Sequence, residues 1–151
     1  MTGCRRQGRY FCGPMPTIET EYAGALRTLA LHVASGSRIV TDAPVDNHGR
    51  GEAFSPSDLT CAALGSCMLT IMGIKADQHG LNLIGTRVAI TKEMTADGPR
   101  RIRRITLDFV LPAAATAFSV RDREVLERAA RTCPVALSLH PEIEQVVRFG
   151  W

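Results

Sequence analysis

Cys67 and Cys133 are the residues of this chain best suited to chemistry. Cys67 closes the run Ser55-Pro-Ser-Asp-Leu-Thr-Cys-Ala-Ala-Leu-Gly-Ser-Cys67, and Cys133 opens Cys133-Pro-Val-Ala-Leu-Ser-Leu139. Each stands in helix-type sequence with an apolar surround, a setting for thiols that react rather than staple. Reactivity follows the thiolate fraction, which apolar burial suppresses and a nearby cation or hydrogen-bond donor restores. A reactive Cys67 therefore needs a cation from outside its own helix. On the residues alone two readings stand: small buried core cysteines, or a redox pair. On a helix, Cys67 shares a face with Thr60, Ala63, Leu64 and Ile71, and Cys61 is rotated away from it toward core packing.

Composition narrows the setting. At 151 residues and 45% hydrophobic content, the chain has the length and apolar mass of one domain. The net charge of +3 is matched by Arg5, Arg6 and Arg9 in an opening segment without Asp, Glu or Lys, so the remainder is neutral. A neutral body with 5% aromatic residues lacks the cationic stripe and the stacking platform of a nucleic-acid binder. Residues 1–14 hold no apolar stretch of signal-peptide length. They read as a disordered extension, or as sequence ahead of the true start at Met15, with a single domain over 15–151. Five cysteines without an export signal fit a cytoplasmic protein, where structural disulfides are rare. No pair has zinc-knuckle spacing, and His32, His48, His79 and His140 are scattered, so no metal site is expected.

The elements that must position the two thiols are well punctuated. From Ile18 to Thr41, short β-branched and apolar runs broken by Ala34-Ser-Gly-Ser37 predict two or three antiparallel strands. Asp42 to Glu52 is a turn-rich loop long enough to line a site. Ser55 as N-cap, Pro56 at the first helical position and Asp58 three residues after the cap predict a long helix reaching about His79 and closed by Gly80. That helix is apolar nearly all round, with small residues Ala62, Ala63, Gly65, Ser66 and Gly73 admitting close neighbours, so it should be buried on every side. It reads as a core helix and not a membrane span. One small chain cannot cover it, and a second copy is expected to do so. A hairpin with one covered face follows, from Val88 and Ile90 through Asp97-Gly-Pro99 to Ile105, Leu107, Phe109 and Leu111. Ser119 and Asp122 cap a second helix with an inward stripe of Val125, Leu126, Ala129 and Ala130. A short turn from Pro134 and an edge strand over Ile143 to Phe149 close the chain.

The two cysteine segments resemble the paired motifs of the OsmC/Ohr family of hydroperoxide-reducing proteins. The likeness extends through Ser35-Gly, Thr41-Asp-Ala-Pro44, the strand pair and the closing strand, from about Pro16 to Trp151. It implies an α+β OsmC-like fold: a curved antiparallel sheet around a long buried central helix, two chains interlocking as a homodimer. It also implies a mechanism in which Cys67 attacks the O–O bond of an organic or lipid hydroperoxide and Cys133 resolves the sulfenic acid as a disulfide. No cofactor is implied beyond an external dithiol or lipoyl-type reductant. Leu64, Met68 and Met72 would line a substrate pocket favouring alkyl peroxides.

The local pattern resembles a less characterised branch of that family. Its best-characterised peroxidases carry Pro-Glu where this chain has Pro56-Ser57, and that Glu orients an arginine over the reactive thiol. Ser57 cannot form such a pair, and Asp58 is expected to serve the helix cap. Arg27 and Arg38 are the candidates for the activating cation. Arg50 and Glu52 are either the replacement pair or solvated loop charges. The resemblance thus leaves an alternative: a non-catalytic member that senses redox state or binds an apolar small ligand. Loss of the Glu favours that alternative, and retention of both cysteines favours the peroxidase.

Overall fold

The structure, a computed structural model, describes residues 15–151; the expected extension over 1–14, with Cys4 and Cys12, lies outside them. The chain divides into two compact units, one ending at Phe54 and one spanning Ser55–Trp151.

In the first unit, β1 (Ile18–Gly24), β2 (Arg27–His32) and β3 (Arg38–Asp42) form an antiparallel sheet in the order β1-β2-β3. The turn expected at Ala34 to Ser37 closes β2 onto β3, with the His32 amide donating to the Ser37 carbonyl at 2.9 Å. Leu31 pairs with Arg38 and Arg27 with Asp42 at the two ends of that ladder. Among the described residues of this unit Thr41 and Asp42 are the buried ones, while Ile18, Tyr22, Leu29, Ile39 and Val40 are exposed.

The second unit opens with α1 (Pro56–Gln78). The expected capping box is complete. The Asp58 amide donates to Ser55 Oγ at 3.2 Å and the Ser55 amide donates to Asp58 Oδ2 at 2.9 Å, satisfying two donors that a helix start otherwise leaves open. β4 (Arg87–Met94) and β5 (Ile102–Val110) form the expected hairpin, and α2 (Val120–Arg131) is capped by Ser119. α3 (Pro134–Ser138) and β6 (Glu144–Gly150) follow. The sheet order is β4-β5-β6, and β6 runs parallel to β5. The expected all-antiparallel sheet is therefore corrected here. The chain leaves β5, crosses through α2 and α3, and re-enters in the same direction, as a parallel pair requires.

α1 packs on this sheet through one ridge. Leu64, Met68 and Met72, at intervals of four residues, are wholly buried against Ile105, Leu107, Phe109 and Leu126. Burial of each such side chain contributes about 1.5–3 kcal/mol. A Cβ on Gly65 would stand 2.6 Å from the Ile90 methyl, so its lack of a side chain brings α1 down onto β4. Burial on every side is not what the chain itself provides. Ala63, Ser66, Thr70 and Ile74 on the opposite face are exposed, because one sheet covers only one stripe of a helix. Among the described residues α1 is the one helix long and apolar enough to cross a membrane by length and composition, a test that core helices also meet.

Lys92 reinforces the helix start, donating to Asp58 Oδ1 at 2.6 Å and to Ser57 Oγ at 2.8 Å. Burial alone would raise the Asp58 carboxyl, but hydrogen bonds from Lys92 and Ser55 outweigh it and bring the group down to about 2. A carboxyl depressed in the folded state stabilises the fold above its unfolded value, and that contribution disappears as pH falls through the folded value. Asp58→Asn should therefore lose about 1 kcal/mol at neutral pH, a figure discounted for a side chain 41% exposed. Urea midpoints measured against pH check this: between about pH 4 and 2 the variant should fall less steeply than the wild type.

Candidate active site

Cys133 is held by local sequence. Pro134 fixes the first helical position of α3, leaving Cys133 extended as the N-cap, with its Sγ accepting from the Ala136 amide at 3.4 Å. The residue is completely buried. α1 packs against α2 and α3, and Cys67 on α1 is a neighbour of the Cys133 thiol, near enough to affect its titration. Both are free thiols. Burial pushes the Cys133 thiol up, the Ala136 amide partly offsets this, and the neighbouring Cys67 adds to the rise. The two sulfurs are unequal. Cys67 is partly open, whereas Cys133 has no surface at all, so an incoming molecule can meet only the first. Cys61 is buried separately in the core, where burial pushes its thiol up despite the charge of Lys92.

In the first unit, Arg27 on β2 is held by two carboxylates. Its Nη2 donates to Asp42 Oδ2 at 3.2 Å and also to Glu52. Asp42 is fully buried and receives the Glu52 amide at 3.0 Å on the same oxygen. That amide is the main cause holding the Asp42 carboxyl below the usual range. Burial opposes it, and Arg27 and the Arg50 amide assist. The loop between them is tightly folded: the Gly49 amide donates to the Pro44 carbonyl at 3.0 Å and the Gly51 amide to the Ala43 carbonyl at 3.2 Å. A Cβ on Gly49 would sit 1.7 Å from the Ala43 carbonyl oxygen, so no other residue fits there without moving backbone. Arg38 is exposed on β3 and makes no ion pair among the described residues. Of the two arginines singled out from sequence, Arg27 is the one with a fixed orientation.

A family model for OsmC-like proteins matches residues 49–147. The chain belongs to the OsmC-like protein family. The OsmC-like chain is 45% identical to a Psychrobacter arcticus protein named for osmotic stress induction and detoxification response. That match has a TM-score of 0.85 and covers 93% of this chain and 99% of the other. The fold is shared with an organic hydroperoxide resistance protein OsmC from Legionella pneumophila, at 14% identity and a TM-score of 0.69, covering 92% of this chain and all of that one. An organic hydroperoxide resistance protein from Elizabethkingia anophelis also shares it, at 12% identity and a TM-score of 0.63, with 90% and 96% covered. No curated protein sequence matches.

Within the OsmC-like fold the residues expected around the thiols divide. Leu64, Met68 and Met72 belong to the core ridge facing the sheet, and Met68 also lines a cleft. Their spacing of four puts them on one line, about 100° of helix away from Cys67 where Met68 is concerned. Ser57, at the position of the family's acid, binds Lys92. Lys92 and Asp42 were not singled out as site residues. The signal for Asp42 was its place at the strand end ahead of a glycine-bearing loop that returns an acid, Glu52, to the same arginine.

Proposed function

We propose that the protein is a thiol-dependent peroxidase that reduces organic hydroperoxides through Cys67 and Cys133. The observation supporting this reading is a partly open thiol, Cys67, neighbouring a fully buried one, Cys133. The Cys67 thiolate attacks the O–O bond; the bond breaks, the alkoxide takes a proton and leaves as alcohol, and Cys67 becomes a sulfenic acid. Cys133 sulfur then attacks the Cys67 sulfur, water leaves, and a disulfide remains. A dithiol, of lipoyl type or similar, reduces it by two exchanges and is itself oxidised to a disulfide. The reading needs no resident cofactor.

Arg27 is proposed as the cation that favours the Cys67 thiolate, with Glu52 and Asp42 taking over from the acid that Ser57 replaces. The loss of that acid was the main argument for a non-catalytic member, and the carboxylates on Arg27 weaken it. We further propose a homodimer, because the open face of α1 and the exposed apolar residues of the first sheet leave more to cover than one chain covers. A reducing, cytoplasmic setting suits thiols that must be restored after each turnover.

The test is consumption of cumene hydroperoxide by the purified protein with dihydrolipoamide, together with peptide mapping after peroxide alone. Many equivalents should be consumed per chain, and the peptides of Cys67 and Cys133 should be found linked. Consumption no faster than the dithiol alone, or two thiols untouched by peroxide, would remove the peroxidase reading.

A further inference from the structure

A cleft of about 340 Å³ opens between the end of α2, α3 and β6, walled by Met68, Arg131, Ala136, Leu137, Gln145 and Val147. Its volume is at the lower end of small-molecule sites, which begin at about 300 Å³. Met68, Ala136 and Val147 close its floor, and the apolar surface it offers is chiefly that of Leu137 at the rim, 71% exposed. One wall is cationic. Arg131 is braced rather than free to swing: Nη2 donates to the Val147 carbonyl at 3.0 Å, and the guanidinium lies 5.5 Å over the Phe149 ring. Among the described residues its Nε and Nη1 have no acceptor. Glu127 Oε2 makes a long ion pair with Nη2 at 3.8 Å, beyond hydrogen-bond distance, and its Oε1 accepts from the Trp151 indole at 2.8 Å. Gln145 spends its amide nitrogen on the Ala136 carbonyl at 3.0 Å.

We propose that this cleft binds a medium-chain monocarboxylate, with the carboxylate on the two open donors of Arg131 and the alkyl chain along Leu137 and the edge of Val147. An immobilised guanidinium with adjacent free donors matches a carboxylate, and an apolar floor beside it matches an unbranched chain. An alcohol of the same length would bury the same chain but leave Arg131 without its partner. The site goes beyond the peroxide chemistry. Although Ala136 links it to Cys133, binding requires no thiol, so it can be read on Cys67→Ser protein without peroxide, and either reading can fail alone.

The experiment is calorimetric titration of the full chain with sodium octanoate and, separately, octan-1-ol, with amide shifts mapping the footprint. Octanoate should bind at least about tenfold tighter than the alcohol, with shifts at Arg131, Ala136 and Gln145. Arg131→Gln should bring octanoate down to the alcohol's affinity and leave the alcohol unchanged. Because Arg131 also braces β6, Leu137→Glu serves as a second variant at an exposed position; its added negative charge should weaken octanoate more than the alcohol. Equal affinity for the two ligands, a footprint elsewhere, or octanoate binding indifferent to Leu137→Glu would overturn the proposal.

Discussion

Cys67→Ser is expected to bring hydroperoxide consumption down to that of the reductant alone, a loss of at least the order of 10³-fold. Cys133→Ser should behave differently. Serine at that position keeps an acceptor for the Ala136 amide and is a preferred N-cap, so α3 should survive the change. Without its resolving thiol, the Cys67 sulfenic acid should persist. Mass spectrometry of this variant should show one added oxygen after stoichiometric peroxide and a second after excess, while the wild type instead loses two hydrogens to a disulfide. The order of events comes from exposure, since Cys67 is partly open and Cys133 fully buried. If Cys67→Ser still turned over peroxide and Cys133→Ser did not, the assignment of attacking and resolving sulfur would be reversed.

The parts of this architecture that read directly from sequence are those written in local code. Ser55, Pro56 and Asp58 announced the start of α1, Ser119 and Asp122 that of α2, and Pro134 that of α3, because the cap side chains satisfy donors within one turn and each proline leaves no N–H open there. The alternation of Ile105, Leu107 and Phe109 marked the covered face of β5 for the same reason: the period of two is a property of the strand alone. The parallel pairing of β6 with β5 had no such signal. Either direction buries Val147 equally well in the sequence pattern, and the choice is made by the crossover through α2 and α3.

The candidate site shows the same division. Cys67 and Cys133 were singled out from their motifs, but their closeness depends on how α1 packs on α2 and α3, which sequence does not state. Leu64, Met68 and Met72 were assigned to a substrate pocket by resemblance; their spacing puts all three on one ridge, and packing against the sheet is what buries it. Arg27 was the first of two candidate arginines, with Arg38 the second. What separates it from Arg38 is the pairing of Arg27 with Asp42 across β2 and β3, together with a loop that folds Glu52 back onto both.

That arrangement leads to the second large effect. Asp42→Ala should lower the melting temperature by on the order of 10 °C, because it leaves the Glu52 amide and Arg27 without the buried oxygen they share. Glu52→Gln should cost far less, since the Glu52 side chain is 58% exposed and an exposed ion pair contributes little to stability. The two variants thus separate folding from function. If Glu52 and Asp42 together orient Arg27 for the peroxidase reaction, Glu52→Gln should retain the fold and still lose on the order of tenfold or more in cumene hydroperoxide turnover. Asp42→Asn adds a pH signature. Because the Asp42 carboxyl is held below the usual range in the folded chain, its contribution is complete above the ordinary aspartate value and vanishes as pH drops beneath it. The acid limb of stability should accordingly be shallower in Asp42→Asn than in the wild type. Wild-type turnover in Glu52→Gln would show that Glu52 has no part in orienting Arg27, and a wild-type melting temperature in Asp42→Ala would show that the buried carboxylate does not hold the loop.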